Sequence, residues 1–181
     1  WTEVNNELII MAFDTPEKLD AVHGVLSHVY TFGTGSEDAG AYQLSVIEDT
    51  WLTLPGFEDA VVHVTEWNQK STDGLDGNTD YGLFQAQEML HIVESFIDAD
   101  VDQAYVWPLI QNTPNALSTG LEYSGPTPAG QMFSMMSENL PGKAVVDFTP
   151  GNNHGGEYES GNADVHAFAG QGDMVLYLYS D

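Results

Sequence analysis

Three places in the chain put chemistry-bearing side chains at the ends of short apolar runs. Val64-Thr65-Glu66-Trp67-Asn68 carries a carboxylate flanked by an indole and an amide. His28-Val29-Tyr30 carries an imidazole and a phenol two residues apart, which an extended strand brings to one face. Tyr105-Val106-Trp107-Pro108 ends on a second indole. A carboxylate at the C-terminal end of a strand, such as Glu66, sits where an α/β scaffold displays catalytic groups. The plainer reading of Glu66 is a helix cap or an ion pair with Lys70. Simple alternation puts His63 on the face opposite Glu66, as a hydrogen-bonded packing residue. His23 and His91 read as structural or exposed, and His154 and His166 show no zinc spacing, so no metal ligands are assigned. Two acidic stretches alternate oxygen donors in the manner of calcium loops. They are Asp76-x-Asn78-x-Asp80, with Gly82 and Glu88 each one place late for an EF-hand, and Asp98-x-Asp100-x-Asp102, which runs straight into a strand. Calcium is the ion these loops would take, and no cofactor is required.

The elements that must position these groups follow from hydrophobic patterning. Gly24 to Tyr30, Ala60 to Glu66 and Val101 to Trp107 are β-branched or aromatic and nearly continuous in hydrophobicity, as parallel strands covered on both faces are. Leu44, Ile47, Trp51 and Leu54 recur at helical steps, with Trp51 a core residue. So do Leu83, Ala86, Met89, Leu90, Val93, Phe96 and Ile97, with Thr79 and Asp80 as capping candidates. A third helix carries Met132, Phe133, Met136 and Leu140 between Pro126/Pro128 and Pro141-Gly142. An earlier one spans Asn6 to Val22 and breaks or restarts at Pro16. Strand and helix therefore alternate three times, the rhythm of βα units in a parallel sheet or barrel. After Lys143 the style changes. Ala144 to Phe148, Asp164 to Phe168 and Met174 to Tyr179 read as antiparallel strands between Gly- and Asn-rich turns, so the chain divides near residues 141–143.

Composition excludes several functions. The 181 residues carry 28 Asp and Glu against 3 Lys and Arg, a formal net charge of −25. The cations are Lys18, Lys70 and Lys143, and arginine is absent. Nothing here can neutralise a nucleic-acid backbone or clamp a polyanion, so no nucleic-acid partner is expected. A neutral or cationic ligand suits this field. With 42% apolar residues and 20 aromatics, the chain packs a core rather than staying disordered. An acidic surface of this kind keeps a protein soluble and suits saline surroundings. Zero cysteines preclude disulfides, a thiol nucleophile and thiolate-bound zinc. No run of 18 apolar residues is present, so membrane insertion is not expected. Trp1 is followed by no charged or apolar leader pattern, which fits a mature product or part of a longer chain.

Taken together, His28-x-Tyr30, Thr65-Glu66-Trp67-Asn68 and Trp107 resemble strands six, seven and eight of retaining glycoside hydrolases of the large (β/α)8 clan. The likeness is to β-xylosidase, α-L-iduronidase and arabinofuranosidase-type members, which often carry a β-sandwich after the last barrel helix. The resemblance implies an α/β fold, with residues 1–142 the C-terminal portion of a (β/α)8 barrel and residues 143–181 a β-sandwich appendage. It makes Glu66 the nucleophile, hydrogen-bonded by Tyr30. It makes Trp107 a stacking wall for a sugar ring, with His28, Trp67 and Asn68 lining the subsite. The chemistry is coherent, because a retaining site needs two carboxyl groups roughly 5–5.5 Å apart, one attacking the anomeric carbon and one protonating the leaving oxygen. Flat aromatic faces suit the C–H faces of pyranose rings.

The departures from that family are definite. Its acid/base Glu follows an Asn at the end of strand four, and no second strand-end Glu occurs in this chain. Trp1-Thr2-Glu3-Val4-Asn5 echoes the motif without a strand ahead of it. Five of eight barrel strands are missing, and a full barrel takes ~250 residues. The expectation is the C-terminal part of an extracellular or cell-surface glycoside hydrolase. These residues alone would be inactive, and the remaining barrel would come from the same chain or another. Its partner is a carbohydrate substrate. Two other readings fit the same framework: a non-catalytic extracellular assembly protein whose acidic loops bridge through calcium, and a carbohydrate-binding module using Trp67 and Trp107.

Overall fold

The fold is that of a computed structural model describing residues 2–31, 37–70, 81–146 and 163–180. Short helices open the chain. Helix α1 (Glu3–Ile10) starts at Thr2, whose hydroxyl accepts the Asn5 N–H, and α2 (Pro16–Leu19) starts at Thr15 with Pro16 in its first turn. Proline fits there because its missing N–H would have no helical partner. The chain then alternates: β1 (Gly24–Thr31), α3 (Glu37–Thr50), β2 (Val61–Gln69), α4 (Leu83–Asp98) and β3 (Gln103–Val106). The order in the sheet is β1-β2-β3, all parallel. Helix α5 (Pro128–Asn139) follows, capped by the Thr127 hydroxyl on Gly130 N–H. A separate antiparallel sheet then runs β4 (Ala144–Val145), β5 (Ala163–Gly170) and β6 (Asp173–Ser180).

The described residues are thus mixed α/β, with a parallel three-stranded sheet and a separate antiparallel sheet, and they do not form a complete barrel. Among the described residues β1 is covered on one face only, against the expectation of cover on both. Val25, Ser27, Val29 and Thr31 of β1 are buried, whereas Leu26 between them is exposed. Three strands cannot curl far enough to bury their second face against each other.

Two apolar clusters hold the elements. One joins Val25 and Val62 to Ile47, Trp51 and Phe57. The other joins Val29, Val64 and Trp67 to Met89, Leu90, Ile92 and Phe96 of α4, Met136 of α5 and Phe168 of β5. The second cluster therefore continues from the parallel sheet into the antiparallel one. Helix α4 begins at Gly82, whose φ of 76° suits glycine, with no side-chain cap. Thr79 and Asp80, the expected caps, lie outside the described residues, as do the 76–80 acidic loop, His154 and the 147–148 end of the first C-terminal strand.

Candidate active site

The geometry at Glu66 is set by an irregularity in β2. Ser27 pairs with Val64, but the next residue, His28, pairs with Glu66. Thr65 is thus an extra residue in the ladder, a β-bulge, and it reverses the inside–outside order of everything after it. Before the bulge, His63 shares the open face with Leu26; after it, Glu66 shares that face with His28. His63 and Glu66 therefore lie on the same side, not on alternate sides as strict alternation requires.

On that open face, at the C-terminal ends of the strands, the Tyr30 hydroxyl donates to Glu66 Oε2 at 2.9 Å. His28 Nδ1 lies 3.6 Å from the same oxygen, an ion-pair distance when the imidazole is protonated. Both groups are partly solvated, with side chains 42% (His28) and 39% (Glu66) exposed. Burial, then the hydrogen bond and the negative charge of Glu66, push the Tyr30 phenol well above its usual range. Tyr30 thus remains a donor to the carboxylate at any ordinary pH. Glu66 Oε1 has no hydrogen-bond partner among the described residues.

The β2–β3 register pairs Trp67 with Val106, which assigns Tyr105 to the face of Glu66, and Trp107 follows directly after the strand. Trp107 is 52% exposed. Its backbone is fixed from two directions: its N–H donates to the Trp67 carbonyl at 3.1 Å, and its carbonyl accepts from Asn68 Nδ2 at 3.0 Å.

Two residues expected to line the subsite are placed elsewhere. The bulge turns Trp67 into the core, 2% exposed, edge-on to Phe96 at 5.5 Å and against Phe133 at 6.1 Å. Asn68 is fully buried and saturated. Its Nδ2 donates to the Trp107 and Asn115 carbonyls, and its Oδ1 accepts from Gln69 N–H and Gln85 Nε2. A buried amide must satisfy all of its donors and acceptors, and here doing so knits β2, the segment after β3 and the first turn of α4 together. Asn68 positions Trp107 rather than touching solvent. Of the second acidic stretch, Asp102 Oδ2 accepts the Val62 N–H at 2.8 Å and so serves the strand entry.

One group of residues escaped the sequence reading. His91 and Glu94 of α4 and His166 of β5 converge, with one donor atom from each lying within 4.8 Å of the others. The signal present in the sequence was the His91-x-x-Glu94 spacing, which places both on one helix face; the third member is remote in the chain. Among the described residues no helix is long and apolar enough to cross a membrane. The chain matches no protein-family model and no curated protein.

Proposed function

We propose that this chain carries the nucleophile half of a retaining glycoside hydrolase site, on a partial (β/α)8 barrel made of its last strand–helix units. The observation that supports this most is the Tyr30–Glu66 hydrogen bond at 2.9 Å on the open face at the strand ends. That bond orders Oε2 and leaves Oε1 free to attack an anomeric carbon from a fixed direction. In the reaction, the Glu66 oxygen forms a bond to the anomeric carbon as the glycosidic C–O bond breaks. The leaving oxygen takes its proton from a second carboxyl group, which the remaining barrel strands would supply. Water then cleaves the glycosyl ester and regenerates Glu66, so the anomeric configuration is retained. Trp107 offers its exposed ring to a sugar face, and His28 stands beside the carboxylate. The net charge of −25 favours the positive character of an oxocarbenium-like transition state. That surface also suits saline surroundings outside the cell or on its surface.

The test is the turnover of aryl glycosides by the complete protein and by its Glu66→Gln variant. The proposal predicts a loss of several orders of magnitude with an unchanged circular dichroism spectrum. Unchanged turnover in the variant rejects Glu66 as nucleophile. Glycan binding without hydrolysis by the intact protein would make the framework a binding module instead.

A further inference from the structure

We propose that His91, Glu94 and His166 form a binding site for one divalent transition-metal ion of the zinc class, independent of the chemistry at Glu66. His91 and Glu94 stand one turn apart on α4, and His166 comes from the middle of β5. His166 Nδ1 is 2.8 Å from Glu94 Oε1, and His91 Nδ1 is 3.9 Å from Glu94 Oε2. The two imidazole rings meet edge to face with centroids 4.6 Å apart. Two imidazole nitrogens and a carboxylate oxygen are the donor set of three-ligand zinc sites, which leave a further position for water or substrate. Magnesium and calcium prefer all-oxygen sets, so the chemistry selects against them.

Burial sharpens the inference. His166 is 1% exposed and its Nε2 has no hydrogen-bond partner among the described residues, while the side chains of His91 and Glu94 are 14% and 13% exposed. Packing two imidazoles and a carboxylate in one largely dry cluster is costly unless their charges and lone pairs are used together. An ion of charge +2 would use all three at once, and the partial exposure on the α4 side gives it a path in. Such an ion would link α4, which covers the parallel sheet, to β5 of the antiparallel sheet.

The test uses the full chain with zinc and cobalt salts in the presence of excess calcium, which occupies the many surface carboxylates. Cobalt is expected to bind one ion per chain with the visible absorption of imidazole ligation, and zinc is expected to displace it. At zinc concentrations a hundredfold above Kd, Tm rises by about 5–10 °C. His91→Ala and Glu94→Gln each weaken zinc binding by roughly a hundredfold or more and abolish that rise. Both are the partly exposed ligands, chosen because His166 substitution endangers the fold. Absence of a stoichiometric cobalt complex, or identical zinc binding by the wild type and both variants, overturns the proposal and leaves the cluster a hydrogen-bonded packing contact. Neither result bears on Glu66.

Discussion

Replacing Trp67 with alanine discriminates between a side chain that lines a sugar site and one that holds the sheet to its helices. The indole is 2% exposed and makes a perpendicular contact with Phe96 at 5.5 Å and a tilted one with Phe133 at 6.1 Å. Deleting a buried aromatic of this size costs about 3–5 kcal/mol, because the cavity collapses only partly. Loss of two ring pairs, worth about 0.5–1.5 kcal/mol each beyond area, places this case in the upper part of that range. Such a loss is a large share of the about 5–15 kcal/mol that holds a typical domain together. Trp67→Phe is the companion variant. It keeps an aromatic ring between Phe96 and Phe133 and removes the indole N–H, which has no hydrogen-bond partner among the described residues. Its expected cost is below about 1.5 kcal/mol. Urea unfolding followed by far-ultraviolet circular dichroism gives both numbers, and Trp67→Phe still reports if Trp67→Ala does not fold. A Trp67→Ala protein that unfolds within about 1 kcal/mol of wild type, close to the spread of surface substitutions, would refute a buried Trp67. That result would put the indole at solvent.

Asn68→Ala removes the side-chain donor to the Trp107 carbonyl and one of two contacts each from Gln85 Nε2 and the Asn115 carbonyl, which still bond each other, and a buried group left unpaired costs about 1–3 kcal/mol. A loss of about 2–4 kcal/mol in urea unfolding is expected, with altered Trp fluorescence from a loosened Trp107; a neutral substitution would contradict the network. Tyr30 has a folded-state pKa raised above its unfolded value, so the stability it contributes is fully present below about pH 10 and is lost as pH climbs through the folded value. Tyr30→Phe should therefore flatten the fall in urea midpoint above pH 10 and remove one late-titrating phenol from the 295 nm absorbance titration; identical alkaline profiles would speak against it. Burial also raises Tyr177, so the variant keeps a raised phenol among its described residues.

The elements were legible because local signals agreed. Apolar runs bounded by Gly and Pro marked β1, β2, β5 and β6, and helical spacing from Leu83 to Ile97 marked α4 within a residue of its ends. Pro16 marked the restart between α1 and α2. The pairing of Tyr30 with Glu66 was foreseen from resemblance, not from spacing. What could not be read was the bulge at Thr65, because no residue type there announces an extra ladder position. That single insertion sends Trp67 inward, brings Glu66 out beside His28 and puts His63 on the same face. The Glu94–His166 contact was hidden for a different reason: its partners are 72 residues apart and meet only when the antiparallel sheet packs on α4. Nor does pattern reveal how many strands share a sheet, which is why cover on both faces was expected of β1, where among the described residues Leu26 is exposed.

The most direct measurement is intact and peptide mass spectrometry of the complete protein after incubation with a panel of 2,4-dinitrophenyl 2-deoxy-2-fluoro-glycosides. Dinitrophenolate departs without a proton donor, so the covalent step is isolated from the second carboxyl group. Fluorine at C2 slows breakdown of the ester, so the adduct accumulates. One fluorosugar is predicted per chain, on the peptide bearing Glu66, and none on the Glu66→Gln variant. An adduct on a different carboxylate, or hydrolysis of aryl glycosides that leaves Glu66 unlabelled, would contradict the account.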